Sequence, residues 1–307
     1  MSKFEGASEV YVCSNYTDAD RAITHIHAHP EIKRIYGSYY NCNYLFTHLL
    51  SKLENGTQIN DLDLQMDVLN EVHCTNLVRY INTNAVLKKI TLICASIDHI
   101  YLHSIFSSLS NKASLNSGIS KLKRIAINAT KVTGMNSDLR DYHDCICNIV
   151  AGNSVEYLYA SFPIIWLKSA TDTLIENLAN NTTLTSFSAS INSAFDAKRL
   201  VHGISKNTKL LSLNLFPMSE WTTGMDYSTK KLLDRNRSML WSNVHKELLS
   251  FTLVFYKLPA YVVLEIFDWL PSSYTEDTNV SAMHLISHYK KIQLIINVIK
   301  SIKLMKN

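Results

Sequence analysis

An apolar-x-x-apolar-x-apolar frame recurs along most of this chain, and between its copies the apolar spacing changes from a period of two to one near 3.6. The clearest copies are Leu87-Lys-Lys-Ile90-Thr-Leu92 and Leu210-Leu-Ser-Leu213-Asn-Leu215. Others begin at Ala7, Ile32, Ile59, Leu122, Val155 and Leu184. The intervals between successive starts are 25, 27, 28, 35, 33, 29 and 26 residues, averaging 29. Alternation inside a frame predicts a short strand with one buried face. The segments between frames predict amphipathic helices: Asp18 to His29, Tyr44 to Leu53, Val68 to Ile81, Leu174 to Ala179 and Ala194 to Ile204. An asparagine stands three residues before several frames, at Asn84, Asn181 and Asn207.

One strand and one helix cannot bury their apolar faces by themselves, whereas units stacked side by side give a parallel sheet with helices outside. The alternation resembles leucine-rich repeats of the ribonuclease-inhibitor type over roughly residues 7 to 219. That resemblance implies an α/β solenoid, with parallel strands on the concave face and helices outside. The competing architecture is a doubly wound α/β domain, against which seven intervals near 29 residues weigh. Because strand side chains alternate, the second and fourth residues after each frame start point away from the core. Those positions hold Glu9 and Tyr11, Arg34 and Tyr36, Asp61 and Asp63, Lys89 and Thr91. They continue with Arg124 and Ala126, Tyr157 and Tyr159, Ser186 and Ser188, Ser212 and Asn214. Tyrosine and arginine are the residues interfaces favour. Tyr11, Arg34, Tyr36, Lys89, Arg124, Tyr157 and Tyr159 are therefore the expected partner-binding set.

The frame stops near Pro217. Residues 219–237 are polar and read as a connection or a cap, and from Ser238 the pattern turns helical. Within that last module, residues 258–271 enter on Leu258-Pro259, run through Val262, Ile266 and Phe267, and leave on Leu270-Pro271. Pro259 suits a helix's first turn and Pro271 ends it. The segment looks like the opening helix of an F-box, or of the PRANC motif of poxviral ankyrin proteins. That likeness implies docking on the adaptor of a cullin ubiquitin ligase by Leu258, Pro259, Val262, Ile266, Phe267, Leu270 and Pro271. The alternative role is a helical cap on the end of the repeat core, which such stacks require.

Composition narrows the function classes. Of 307 residues, 47% are hydrophobic and 18% charged, enough apolar material for a large core. Eight glycines and no GxxxxGK[ST] or GxGxxG leave no phosphate loop. A net charge of +4 falls short of the basic stripe of a nucleic-acid binder. No apolar run reaches eighteen residues, so no membrane span is expected. The opening MSKFEGASEV carries no signal-peptide core, and Cys13, Cys42, Cys74, Cys94, Cys145 and Cys147 form no CxxC pair. Reduced, mostly buried thiols in a cytoplasmic protein are expected.

Two constellations invite a metal. His25, His27 and His29 alternate, and Asp141, His143, Asp144, Cys145 and Cys147 cluster. Both fall in helical slots, where residues two apart diverge, so neither is expected to chelate. No GxSxG, HExxH or paired catalytic carboxylate occurs. The lysines of the last segment, Lys290 to Lys306, fit a tail that contacts a membrane or nucleic acid, and a solvated helix face explains them as well. The expectation is a non-enzymatic interaction protein without cofactor, a substrate receptor that links a target to a ubiquitin ligase. The alternatives are a plain repeat scaffold and, from another class, a metal-dependent enzyme using the N-terminal histidines.

Overall fold

A computed structural model describes residues 9–12, 16–39, 50–51, 59–114, 122–134, 140–162, 167–191, 194–217 and 229–239. The chain divides into two compact units, Met1–Leu233 and Asp234–Asn307. In the first unit the described strands are β1 (Glu9–Val12), β2 (Arg34–Tyr39), β3 (Asp61–Leu69), β4 (Lys89–Asp98), β5 (Arg124–Thr133), β6 (Tyr157–Ser161), β7 (Ser186–Ile191) and β8 (Ser212–Pro217). The chain's helices include α1 (Tyr16–Ala28), α2 (Glu71–Thr83), α3 (His99–Ser114), α4 (Arg140–Ala151), α5 (Lys168–Asn180) and α6 (Ala194–Gly203), the last followed by a 3-10 turn, Ile204–Lys206, and residues 229–239 are helical as well. Each of the eight strands begins two residues after a frame start.

The strands form one sheet in chain order, β1 to β8, and every neighbouring pair is parallel. A doubly wound sheet reverses its strand order at a switch point. The described order never reverses, so the architecture is α/β and repeat-like rather than doubly wound. From α2 onward, successive helices pack on one another in chain order and so make one layer. The frame residues face that layer. Leu62, Ile90, Ile125, Leu158 and Phe187 are wholly buried and stand on the same rung of the sheet. Leu77, Leu102, Leu109 and Leu200 close on them from the helices. Each aliphatic side chain buried this way stabilises by about 1.5–3 kcal/mol.

Two boundaries differ from the pattern's expectation. The apolar phase at Val68 predicts helix, but Val68 lies in β3, paired with Ser96 and half exposed. Asn70 decides where α2 starts. Its side chain accepts from the His73 backbone N–H, while the His73 ring accepts from the Asn70 N–H, a reciprocal cap. Strands β3, β4 and β5 also run to nine or ten residues, past the six-residue frame. Their inward alternation runs to Met66, Cys94 and Ala129 and then shifts phase, so that Leu69, Ile97 and Val132 rejoin the core.

Three recurrent asparagines close the turn from a helix to the next strand. Asn207 is buried; its Nδ2 donates to the carbonyls of Leu178 and Asn181, and its Oδ1 accepts from the N–H groups of Lys209 and Leu210. Asn181 Nδ2 reaches Val150 O, and its Oδ1 takes the N–H groups of Thr183 and Leu184. Asn84 bonds Ile59 O and Tyr80 Oη and receives the Val86 N–H. Lys112 performs the same service by other means. Its Nζ donates to the carbonyls of Ile81 and Asn84, the same spacing that Asn207 spans at Leu178 and Asn181. Burial holds that ammonium's pKa below the ordinary lysine value.

Candidate interaction face

The sheet is laid out in straight rows of residues, because the frames stack in register. The first row is Glu9, Arg34, Asp61, Lys89, Arg124, Tyr157, Ser186 and Ser212. The second is Tyr11, Tyr36, Asp63, Thr91, Ala126, Tyr159, Ser188 and Asn214. All seven residues expected to bind a partner therefore stand on these two neighbouring rows.

Local chemistry sets their posture. The Arg34 guanidinium lies over the Tyr36 ring at 4.2 Å, and the Arg124 guanidinium over the Tyr157 ring at 4.1 Å. Each stack is worth about 0.5–1 kcal/mol at a partly exposed site and holds a long side chain flat against the sheet. Arg34 Nε lies 4.0 Å from Asp61, and Lys89 Nζ lies 3.8 Å from Asp63. Burial, then the positive charges of Arg34 and Arg124, hold the Lys89 ammonium's pKa below its usual value, opposed by Asp63 and Asp61. Towards β7 the face loses charge. Ser186 and Ser188 are buried, each beside a tyrosine of β6 in register. Ala126 too is nearly covered, between Thr91 and Tyr159.

The frame reading missed a third row. Because β3 to β5 outrun the frame, Gln65, Ile93, Asn128 and Ser161 follow on the same face. Ile93 is an exposed large apolar side chain there. The signal was present, since the inward alternation continues at Cys94 and Ala129, both buried.

The other candidate residues are placed differently. His25, His27 and His29 sit on or just after α1. The rings of His25 and His29 lie 4.2 Å apart, and His29 Nδ1 is 2.7 Å from Glu31 Oε1. In α4, His143, Cys145 and Cys147 are all buried while Asp144 is exposed. Two thiols on different sides of one helix are both covered because α4 packs between α3 and α5. Burial pushes the Cys94 and Cys147 thiols up to about 12, and pushes Cys74 to about 11 with help from the Glu71 charge. Thiols so protonated are poor nucleophiles. Cys74, Cys94, Cys145 and Cys147 are buried and stand outside any disulfide, in line with their spacing. Among the described residues no three His, Cys, Asp or Glu side chains are grouped to hold a metal ion. No described helix is long and apolar enough to cross a membrane. Leu258, Pro259, Val262, Ile266, Phe267, Leu270 and Pro271 lie outside the described residues, as do Cys13, Cys42 and the lysines from Lys290 on.

No family model matches this chain, and no curated protein does. Among solved structures, fourteen chains match. One is described as Leiomodin-1 Actin-Binding Site 2 (ABS2): it is 13% identical over 74% of this chain and 94% of its own, with a TM-score of 0.30. A likeness that slight carries no functional conclusion.

Proposed function

We propose that this chain is a non-enzymatic interaction protein, a leucine-rich-repeat-type array that captures a partner protein on the sheet face opposite its helices. The observation that carries the reading is the register. Arginine, lysine and tyrosine, drawn from five separate strands, stand in two adjacent rows on one face. Side chains buried in the core explain the fold without these residues, and the stacked arginines are held in place before any partner arrives. Preorganised arginine and tyrosine are the anchors that dominate interface energies.

In the same proposal the C-terminal segment from Leu258 to Pro271 docks a ubiquitin-ligase adaptor, making the protein a substrate receptor. That half rests on the F-box-like residues of the sequence. The test is affinity capture with the full chain and two variants. Replacing Tyr36, Arg124, Tyr157 and Tyr159 together with Ala should empty the target from the captured set and keep the adaptor. Ile266→Asp with Phe267→Asp should do the reverse. Capture of the same target by the four-residue variant refutes the face; a wild-type chain that retains no adaptor refutes the ligase half.

A further inference from the structure

We infer that the partner presents a carboxylate side chain to the rungs of Lys89 and Arg124, where Arg124, lying flat on Tyr157, clamps it. This rests on the face being the capture surface.

Charge along the first row carries the argument. Arg34, Asp61, Lys89 and Arg124 occupy successive rungs, and neighbouring strands lie about 4.8 Å apart. The acids serve one end of this run: Asp61 lies against Arg34, and Asp63 against Lys89. At the other end two cations meet on adjacent rungs, and the residues in register beyond Arg124 are Tyr157 and Ser186, neither of which carries a carboxylate. Like charges facing one another across neighbouring strands oppose folding. Arg124 Nε is buried without a hydrogen-bond partner, so the donors left to meet a partner are those of the two Nη groups. A guanidinium fixed on a ring presents its remaining N–H groups in a plane, the geometry a carboxylate accepts bidentately.

The second row places no charge beside this pair. Ala126, between Thr91 and Tyr159, is the shortest side chain flanking Arg124. One row on, the exposed Ile93 offers an apolar contact to the next residue of the same partner segment. The occupant that fits is an extended peptide segment with an Asp or Glu close to an apolar residue. A nucleic-acid backbone fits worse, because Asp61 and Asp63 lie within three rungs of Arg124 and repel a continuous polyanion.

The test is selection of phage-displayed random peptides on the immobilised full chain. Peptides of about 12 residues are long enough, at ~3.3 Å per residue, to cross all eight rungs. Enriched sequences should share an acidic residue beside an apolar one. Changing that acid to Asn or Gln in the peptide should weaken binding at least tenfold, as should Arg124→Gln in the protein. Arg124→Lys should fall between, since it keeps the charge and loses the fork. Acid-free peptides that still require Tyr159 overturn the carboxylate clamp and leave the face standing. Peptides indifferent to both Tyr159→Ala and Arg124→Gln overturn the face itself. No enrichment overturns the clamp, and so does displacement of the peptide by a single-stranded oligonucleotide that itself requires Arg124. The peptide-side substitutions keep the test decisive if Arg124→Gln fails to fold.

Discussion

Replacing Asn207 by Ala removes a side chain that uses its whole hydrogen-bonding capacity. Its amide donates to Leu178 O at 2.6 Å and Asn181 O at 3.1 Å, and its carbonyl accepts the Lys209 and Leu210 N–H groups, both at 2.8 Å. The site is 3% exposed, so water does not readily replace what is lost. A net value of about 0.5–1.5 kcal/mol per bond puts four bonds at about 2–6 kcal/mol. The Leu178 carbonyl keeps a second donor in the Asn181 N–H, which lowers the total, so we expect about 3 kcal/mol. Asn207→Asp should cost more, because it turns a carboxylate towards two carbonyls in a buried site. Lys209→Ala, at an exposed side chain, should stay within ~0.5 kcal/mol. Urea denaturation of the three variants measures this directly. An Asn207→Ala midpoint equal to that of Lys209→Ala would refute the view that these asparagines fasten one repeat unit to the next.

Burial holds the His143 pKa down to about 4, with the Asp144 charge opposing. Above its ordinary pKa of about 6.5 the ring is neutral in both states. Below it the unfolded chain takes up the proton first, so stability should fall by about 3 kcal/mol as the pH drops from 6.5 to 4. Denaturation midpoints across that window should lose this slope in His143→Gln, and an unchanged slope would contradict the assignment. At Gly203 an added Cβ would collide with Cγ2 of Ile175 on the neighbouring helix. Gly203→Ala should therefore lower the melting temperature despite alanine's better helix propensity, by about 1–3 kcal/mol of overpacking, and Ile175→Ala should restore part of it. A Gly203→Ala chain more stable than wild type would show that α5 and α6 do not approach so closely.

Much of the fold is legible from one frame. Residues such as Leu87, Ile90 and Leu92 must all face the core, which fixes both the strand and its phase. That is why every described strand begins two residues after a frame start. Strand ends were harder, since Met66, Cys94 and Ala129 continue the inward alternation with weaker apolar signals than leucine. Lys112 could not have been placed from its neighbours in sequence. A lysine near a helix C-terminus is ordinarily solvated, and only the carbonyls of the preceding unit make its burial tolerable. The asparagines are visible as a recurrence, but the carbonyls their amides reach lie about 25 to 31 residues away, on the unit before.

The candidate site divides the same way. Alternation was enough to assign Arg34, Tyr36, Lys89, Arg124, Tyr157 and Tyr159 to one side of the sheet. Which of them touch depends on register between strands, which no single segment contains. The Arg34–Tyr36 stack lies within β2, but the Arg124–Tyr157 stack and the lysine–arginine meeting between β4 and β5 follow only once the frames are aligned.

Position-specific cross-linking tests the central claim most directly. A photoreactive amino acid would be placed in the full chain at Tyr36 or Tyr159 on the sheet face, or at Asn148 or Lys198 on exposed helix surface. Irradiated with its captured partner, the chain should form a covalent adduct from positions 36 and 159 and none from 148 and 198. Adducts from the helix positions, with none from the sheet face, would contradict the account.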